Sequence, residues 1–101
     1  MGVPEVAYVV AATWRAREGE EDAIVRILET LVPLARGEPA CRLFQAHRSI
    51  EDSREFFLYE QYDDEAGFQA HIDTEAFRRH VLGDAVPRLE HRARVFYDTM
   101  D

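Results

Sequence analysis

The sequence predicts an α+β fold of the ferredoxin-like type, an antiparallel sheet with its helices on one face. The chain has 101 residues, enough for a single domain over residues 1–101 and too few for two separately cored units. Hydrophobic residues make up 47% and charged residues 32%, a balance typical of globular proteins. Hydrophobic periodicity along the chain then gives the order strand, helix, strand, strand, helix, strand, or βαββαβ.

The first strand and the first helix are predicted from apolar spacing. Val6–Arg15 is a nearly continuous apolar run, which indicates a strand buried on both faces. A helix follows over about Glu20–Ala35, because acidic residues precede apolar residues that recur at helical spacing. Pro33 is expected to kink its last turn, and Gly37 and Pro39 are expected to end it.

The remaining strands form a hairpin and a final strand. Arg42–Ile50 and Glu55–Tyr62 are rich in strand-forming residues, and the polar segment between them is typical of a hairpin loop. The last strand covers Arg88–Asp98. Alternate residues are expected to share one of its faces: Leu89, His91, Ala93, Val95 and Tyr97.

Two short helices are predicted between the hairpin and the last strand. Asp63 and Asp64 are suited to cap the first, which carries Phe68, His71 and Ile72. A second begins at Asp73-Thr74, and Gly83 and Pro87 mark its exit. Its apolar face carries Phe77, His80 and Val81.

The face of the sheet away from the helices predicts a partner. Two helices can cover only one face, yet the first and third strands are apolar on both. A large exposed apolar face marks an interaction surface, and a second copy of the chain is the simplest partner. The sequence therefore predicts a homodimer.

Charge and composition exclude several classes of partner and location. The formal charge of -8 excludes nucleic acid and anionic membrane surfaces as expected partners, because these require basic residues. No apolar run approaches the roughly 20 residues of a membrane-spanning helix. Met1–Glu5 lacks the pattern of a secretory signal, and the single Cys41 excludes an internal disulfide. We therefore expect a cytoplasmic protein.

Two segments resemble the antibiotic biosynthesis monooxygenase (ABM) family. Residues Phe56–Phe77 follow its signature of an apolar stretch, Tyr-Glu, an acidic turn, Glu-Ala, a histidine and Thr-x-x-Phe. Upstream, Arg36–Cys41 (RGEPAC) resembles the family's Arg-x-Glu-Pro-Gly-Cys turn, with Ala40 in place of the usual Gly. The resemblance extends over nearly the whole chain in order and spacing.

The resemblance implies a dimeric α+β barrel with one small-molecule pocket per subunit between sheet and helices. Family enzymes oxidise quinols or anthrone-like polycyclic phenols with O2, without metal or flavin. A deprotonated, electron-rich phenol can itself pass an electron to oxygen, so the protein need only bind and deprotonate it. The resemblance thus implies a cofactor-independent monooxygenase. A non-catalytic dimer that binds a small ligand in the same pocket is an alternative.

His71 and Glu60 are the candidate catalytic residues. Glu60 lies in an aromatic strand, where a carboxylate needs a partner, and His71 is expected to be that partner. In the catalytic interpretation Glu60 orients the imidazole and His71 accepts a phenolic proton. In the structural alternative the same pair only ties the helix to the sheet.

His80 leads to a second alternative, a heme-binding and heme-degrading enzyme. In related heme-degrading members of the superfamily, a histidine near this position binds the iron. Those enzymes have a tryptophan where this chain has His71, and an asparagine that its first strand lacks. We therefore expect His80 at the surface or at the rim of the pocket, with no metal site and heme only as the alternative cofactor.

Aromatic side chains suited to a flat substrate are spread along the chain, and they equally suit a small core. The candidate substrate-binding residues are Trp14, Phe44, His47, Tyr62, Phe68, Phe77 and His80. Tyr62 is expected to donate a hydrogen bond to a substrate oxygen. Arg92 and Arg94 are expected to reach solvent or the partner subunit.

Overall fold

The computed structural model describes residues 6–101, so Met1–Glu5 and the prediction about a secretory signal lie outside the described residues. The elements are β1 (Tyr8–Ala16), α1 (Glu21–Arg36), β2 (Cys41–Arg48), β3 (Glu55–Tyr62), α2 (Glu65–Ile72) and β4 (Leu89–Asp98). A π-helix (Phe77–Ala85) and a 3-10 turn (Val86–Arg88) connect α2 to β4. The predicted ferredoxin-like order is confirmed.

All neighbouring strands of the sheet are antiparallel, in the order β2-β3-β1-β4. The side chains of Val10, Ala12 and Trp14 in β1 face the helices, and we call this face the helix side. Their neighbours Val9 and Ala11 face the opposite way, toward what we call the open side. Every strand therefore contributes residues to two chemically distinct surfaces.

The main core lies between α1 and the helix side. Its apolar residues recur at helical spacing, and Ile24, Leu28 and Leu31 pack against Phe44 and other strand residues. Pro33 lies inside α1, which continues to Arg36 before it ends at Gly37. Within residues 6–101, no helix combines the length and apolar character needed to cross a membrane.

The structure corrects the predicted face of Leu89. Its predicted companions on β4 are His91, Ala93, Val95 and Tyr97. They pair with odd-numbered residues of β1 and lie on the open side. Leu89 instead pairs with Ala16 beyond a register shift that follows Arg15, and it is buried in the core. A bulge of this kind moves later residues to the other face of the strand.

The helix predicted after Thr74 is a π-helix. The Thr74 hydroxyl accepts a hydrogen bond from the Phe77 amide at 3.0 Å and donates one to the His71 carbonyl at 2.8 Å. Gly83 was expected to mark the exit, but it lies inside the π-helix, which continues to Ala85. The threonine thus joins the end of α2 to the start of the next helix.

A close backbone approach positions α2. The Asp64 carboxylate caps the helix by accepting a hydrogen bond from the Gly67 amide at 2.9 Å, as predicted for the acidic turn. A Cβ atom on Gly67 would lie 2.7 Å from the Cβ of Ala40. The Asp63 amide also donates to the Ala40 carbonyl at 2.9 Å. Only glycine at position 67 lets α2 lie this close to the turn between α1 and β2.

We predict that Gly67→Ala destabilises the fold by about 1–3 kcal/mol, because overpacking outweighs the gain in helix propensity. Urea denaturation measures the difference. The matched control is Gly37→Ala, where the nearest atom is the Leu34 carbonyl oxygen at 3.5 Å, an ordinary contact. Adding Ala40→Gly to Gly67→Ala should restore most of the loss, and no recovery in the double variant would contradict the steric explanation.

Candidate functional site

Glu60 is a carboxylic acid buried on the helix side of β3, where only 5% of it is exposed. Strand alternation places it there between Leu58 and Tyr62. The Tyr62 hydroxyl donates a hydrogen bond to Glu60 Oε1 at 2.7 Å. Burial raises the pKa of Glu60 to about 7, against the opposing effects of the Tyr62 hydrogen bond and the Arg94 charge. Glu60 is therefore suited to exchange a proton near neutral pH.

Tyr62 connects Glu60 to the aromatic part of the site. Its side chain is fully buried, and burial together with the Glu60 carboxylate raises the pKa of its hydroxyl. Tyr62 therefore stays protonated and acts as a donor. Its ring lies 5.7 Å from that of Phe68 and 5.4 Å from that of His71, measured between centroids.

The structure contradicts the predicted pairing of His71 with Glu60. His71 Nδ1 lies 3.0 Å from each carboxylate oxygen of Glu38, and the histidine is 2% exposed. The physical reason is the docking of α2: Gly67 brings the helix onto the RGEPAC turn, and His71 lies one helical turn further along the same face. With Nδ1 bound to Glu38, Nε2 is the nitrogen left to accept a proton.

Four aromatic side chains surround the imidazole. The ring centroids of Phe44, Tyr62, Phe68 and Phe77 lie 5.3–6.5 Å from that of His71. We call these four residues and His71 the His71 cluster. All four are predicted substrate-binding residues, so the fold brings most of the candidate site together between the sheet and α2.

The other three predicted binding residues lie outside the cluster. Trp14 is buried in the main core, beside Arg92 of β4. His47 is exposed on the open side, with Nδ1 3.1 Å from the Phe57 carbonyl, and it borders a groove of about 570 Å³ between α1 and β2. His80 is half-buried in a crevice between α1 and the π-helix, and heme as the alternative cofactor stays a prediction.

Three charged residues near the site were not among the predicted site residues. Glu38 had a signal in the RGEPAC motif, but nothing local assigns it to His71. Arg92 and Arg94 were expected to reach solvent or the partner subunit; Arg94 is exposed and Arg92 is half-buried, and their register with Trp14 and Ala12 places both on the helix side. Among residues 6–101, no group of three or more His, Cys, Asp or Glu side chains is arranged to hold a metal ion.

These observations define a ferredoxin-like protein with a buried acid and a histidine–carboxylate pair inside an aromatic cluster. A sequence model of the family described as antibiotic biosynthesis monooxygenase matches residues 7–81. The chain belongs to this family. The comparison with curated proteins gives no match.

Solved structures share the fold over almost the whole chain. PA3566 from Pseudomonas aeruginosa is 28% identical, with a TM-score of 0.89, and the match covers 99% of this chain and 100% of that one. SO0527 from Shewanella oneidensis is 21% identical, with a TM-score of 0.87 and coverage of 97% and 95%. A structure described as an antibiotic biosynthesis monooxygenase is 23% identical, with a TM-score of 0.87 and coverage of 93% and 99%. Family membership supports a monooxygenase.

We predict that Glu60 makes the protein less stable as pH rises. Its ordinary pKa is 4.5 and its pKa in the fold is about 7, so in this window the native state keeps a proton that the unfolded state has released. Stability therefore falls as pH rises from about 4.5 to about 7, by roughly 2–4 kcal/mol from this group. Melting temperatures across this range measure the effect.

Glu60→Gln should flatten this part of the profile, because the amide oxygen still accepts from Tyr62 and does not titrate. Glu29→Gln, an exposed change on α1, is the matched control and should leave the profile unchanged. A Glu60→Gln profile parallel to that of the wild type would show that Glu60 does not titrate in this window.

Proposed function

We propose that the protein is a cofactor-independent monooxygenase that oxidises a quinol, anthrone or related polycyclic phenol with O2. In the anthrone case a CH2 carbon loses two hydrogens and gains one oxygen atom as a carbonyl, and the second oxygen atom leaves as water. The substrate supplies all the electrons, so the reaction balances without another reductant. The protein's task is to bind the ring, exclude water and remove a proton.

The observation that carries the proposal is the buried Glu60 carboxyl with its pKa of about 7. A general base works best when its pKa lies near the working pH, because it is then both ionised and basic enough. Only Tyr62 donates a hydrogen bond to Glu60 among the described residues. Oε2 thus has no hydrogen-bond donor within residues 6–101 and is the oxygen available to a substrate proton.

His71 is the second candidate base. With Nδ1 held by the Glu38 carboxylate, Nε2 is the nitrogen left to accept a proton. The ring is enclosed by aromatic side chains, so it can equally serve as a wall that positions Tyr62 and the substrate. We assign the proton transfer to Glu60, whose pKa is about 7 and on which the charges of Arg92 and Arg94 act.

We predict that Glu60→Gln lowers turnover by roughly 10²–10⁴-fold, the usual cost of a lost general base. The loss should shrink at high pH, where solvent deprotonates the phenol. Oxygen uptake with a panel of quinols and anthrones provides the measurement. Glu29→Gln is the matched control, and uptake by the wild type no faster than the uncatalysed rate would favour the non-catalytic binder.

His71→Ala separates the two roles of the histidine. If His71 is the base, turnover falls by the same factor, whereas the protein stays folded. If it is structural, the variant leaves Glu38 unpaired and costs about 1–3 kcal/mol of stability with nearly normal turnover per folded protein. We expect the structural outcome. If His71→Ala is folded but turns over little substrate, and Glu60→Gln remains active, then His71 is the base and Glu60 is not.

We also propose that the protein works as a homodimer through the open side. Apolar side chains of this face are partly exposed on three strands: Leu43 at 37%, Phe57 at 39%, Val95 at 49% and Tyr97 at 55%. The strand register places them in adjacent rows, so they form one surface rather than scattered contacts. Such a surface is characteristic of a protein interface.

Sedimentation equilibrium at micromolar concentration should therefore give twice the 11.7 kDa mass of one chain. Phe57→Glu should shift the protein toward monomer, because it places a charge within this apolar surface. Leu82→Glu is the matched control, since Leu82 is 47% exposed on the π-helix. A folded monomer of wild-type protein would contradict the homodimer.

A further inference from the structure

Two arginines of β4 share the helix side with Glu60. Arg92 lies opposite Trp14 and Arg94 opposite Ala12 in the sheet register. The Arg94 guanidinium carbon lies 5.4 Å above the ring of Phe68, a member of the His71 cluster. Both charges act on the Glu60 carboxyl and lower its pKa. The arginine pair therefore lies near the buried Glu60 carboxyl and is not surrounded by solvent only.

The two guanidinium groups lack the partners that other arginines of the chain have. Arg15 and Arg88, for example, each bind more than one carboxylate. Within residues 6–101, no carboxylate lies within salt-bridge distance of Arg92 or Arg94, and the buried Nε of Arg92 has no hydrogen-bond partner. Burial and the charge of Arg94 both lower the pKa of Arg92. An anion between the two groups would relieve both costs.

The surroundings fit a flat anion. On the helix side of β1, the residue paired with Arg94 is Ala12, whose side chain is small. Phe96, also on the helix side, is 44% exposed and lies 5.4 Å from Phe68 between ring centroids. Aromatic faces therefore flank the arginines at the β4 edge, which is where a ring would enter.

We propose that Arg92 and Arg94 form an anion subsite, so that the substrate is a planar aromatic compound with an anionic oxygen, a carboxylate or a phenolate. This inference rests on the proposed function and specifies its substrate class. As Glu60 takes the proton, negative charge grows on the substrate oxygen, and two preplaced guanidinium groups stabilise that charge. Arg92 and Arg94 thus serve both in binding and in lowering the barrier to deprotonation.

Binding can be measured without turnover, because Trp14 is the single tryptophan and lies beside Arg92. The probes are anthracene-9-carboxylate and the neutral 9-anthracenemethanol, which share one ring system. Quenching of Trp14 fluorescence at neutral pH gives both dissociation constants. We expect the wild type to bind the carboxylate at least about 10-fold more tightly than the alcohol, the usual effect of a charge-assisted hydrogen bond.

Arg92→Met and Arg94→Met should each remove most of this preference and leave alcohol binding within about 3-fold, because methionine keeps the apolar stem. Arg92→Lys keeps the charge and should retain part of the preference. The matched control is Arg79→Met, an exposed change on the π-helix, which should bind both probes as the wild type does. Melting curves verify that each variant is folded.

The wild type alone can overturn the anion subsite: it does so if it binds the two probes equally or does not bind the carboxylate. The same holds if Arg79→Met loses as much preference as Arg92→Met. Oxygen uptake on the same preparations separates this inference from the proposed function. Selective binding of the carboxylate through Arg92 without oxygen uptake would support the anion subsite and contradict the monooxygenase function. Oxygen uptake with neutral anthrones that Arg92→Met does not change would support the monooxygenase function and contradict the anion subsite.

Discussion

The close approach of α2 to the RGEPAC turn is the contact on which the site depends. At Gly67 the helix backbone lies so near Ala40 that a single methyl group would not fit. This docking is what carries Glu38 within 3.0 Å of His71 and surrounds the imidazole with aromatic rings. A histidine and a glutamate buried apart would each be costly, so the packing and the hydrogen bond between them require one another.

The second constraint is electrostatic and concerns Glu60. Its carboxyl is buried beside Tyr62, which donates to it and keeps its own proton. Burial favours the neutral acid, while the charges of Arg92 and Arg94 favour the anion. Because these effects oppose one another, the pKa settles near 7 rather than at either extreme. The balance, not any single contact, makes Glu60 able to change its protonation state.

Local patterns predicted most of the fold. The bounds of β3, Glu55–Tyr62, agree with the sequence prediction, because a period of two between turn residues is a local signal. Asp64 caps α2 for a similarly local reason. The face of Leu89 was predicted wrongly, because a bulge between strands depends on pairing and leaves no pattern in β4 itself.

The candidate site was harder to predict than the fold, because its contacts are remote in sequence. Glu38 and His71 are 33 positions apart, and their contact depends on how α2 docks. The aromatic residues converge as expected, since apolar residues of a small domain share one core. His47 could have been assigned correctly: Phe44 faces the helices, so a residue three positions later in a strand must face the other way.

The two faces of the sheet separate the proposed dimer surface from the proposed anion subsite, although β4 contributes residues to both. Beyond Leu89, its odd-numbered residues, such as Val95 and Tyr97, face the open side, whereas Arg92 and Arg94 lie on the helix side, as Glu60 does. A partner on the open side would therefore cover apolar residues without contacting the arginines. The core also covers β4 unevenly, since Leu89 at its start is buried but Phe96 near its end is 44% exposed. The proposed subsite at the β4 edge is accordingly compatible with the proposed dimer, which occupies the opposite face of the same strand.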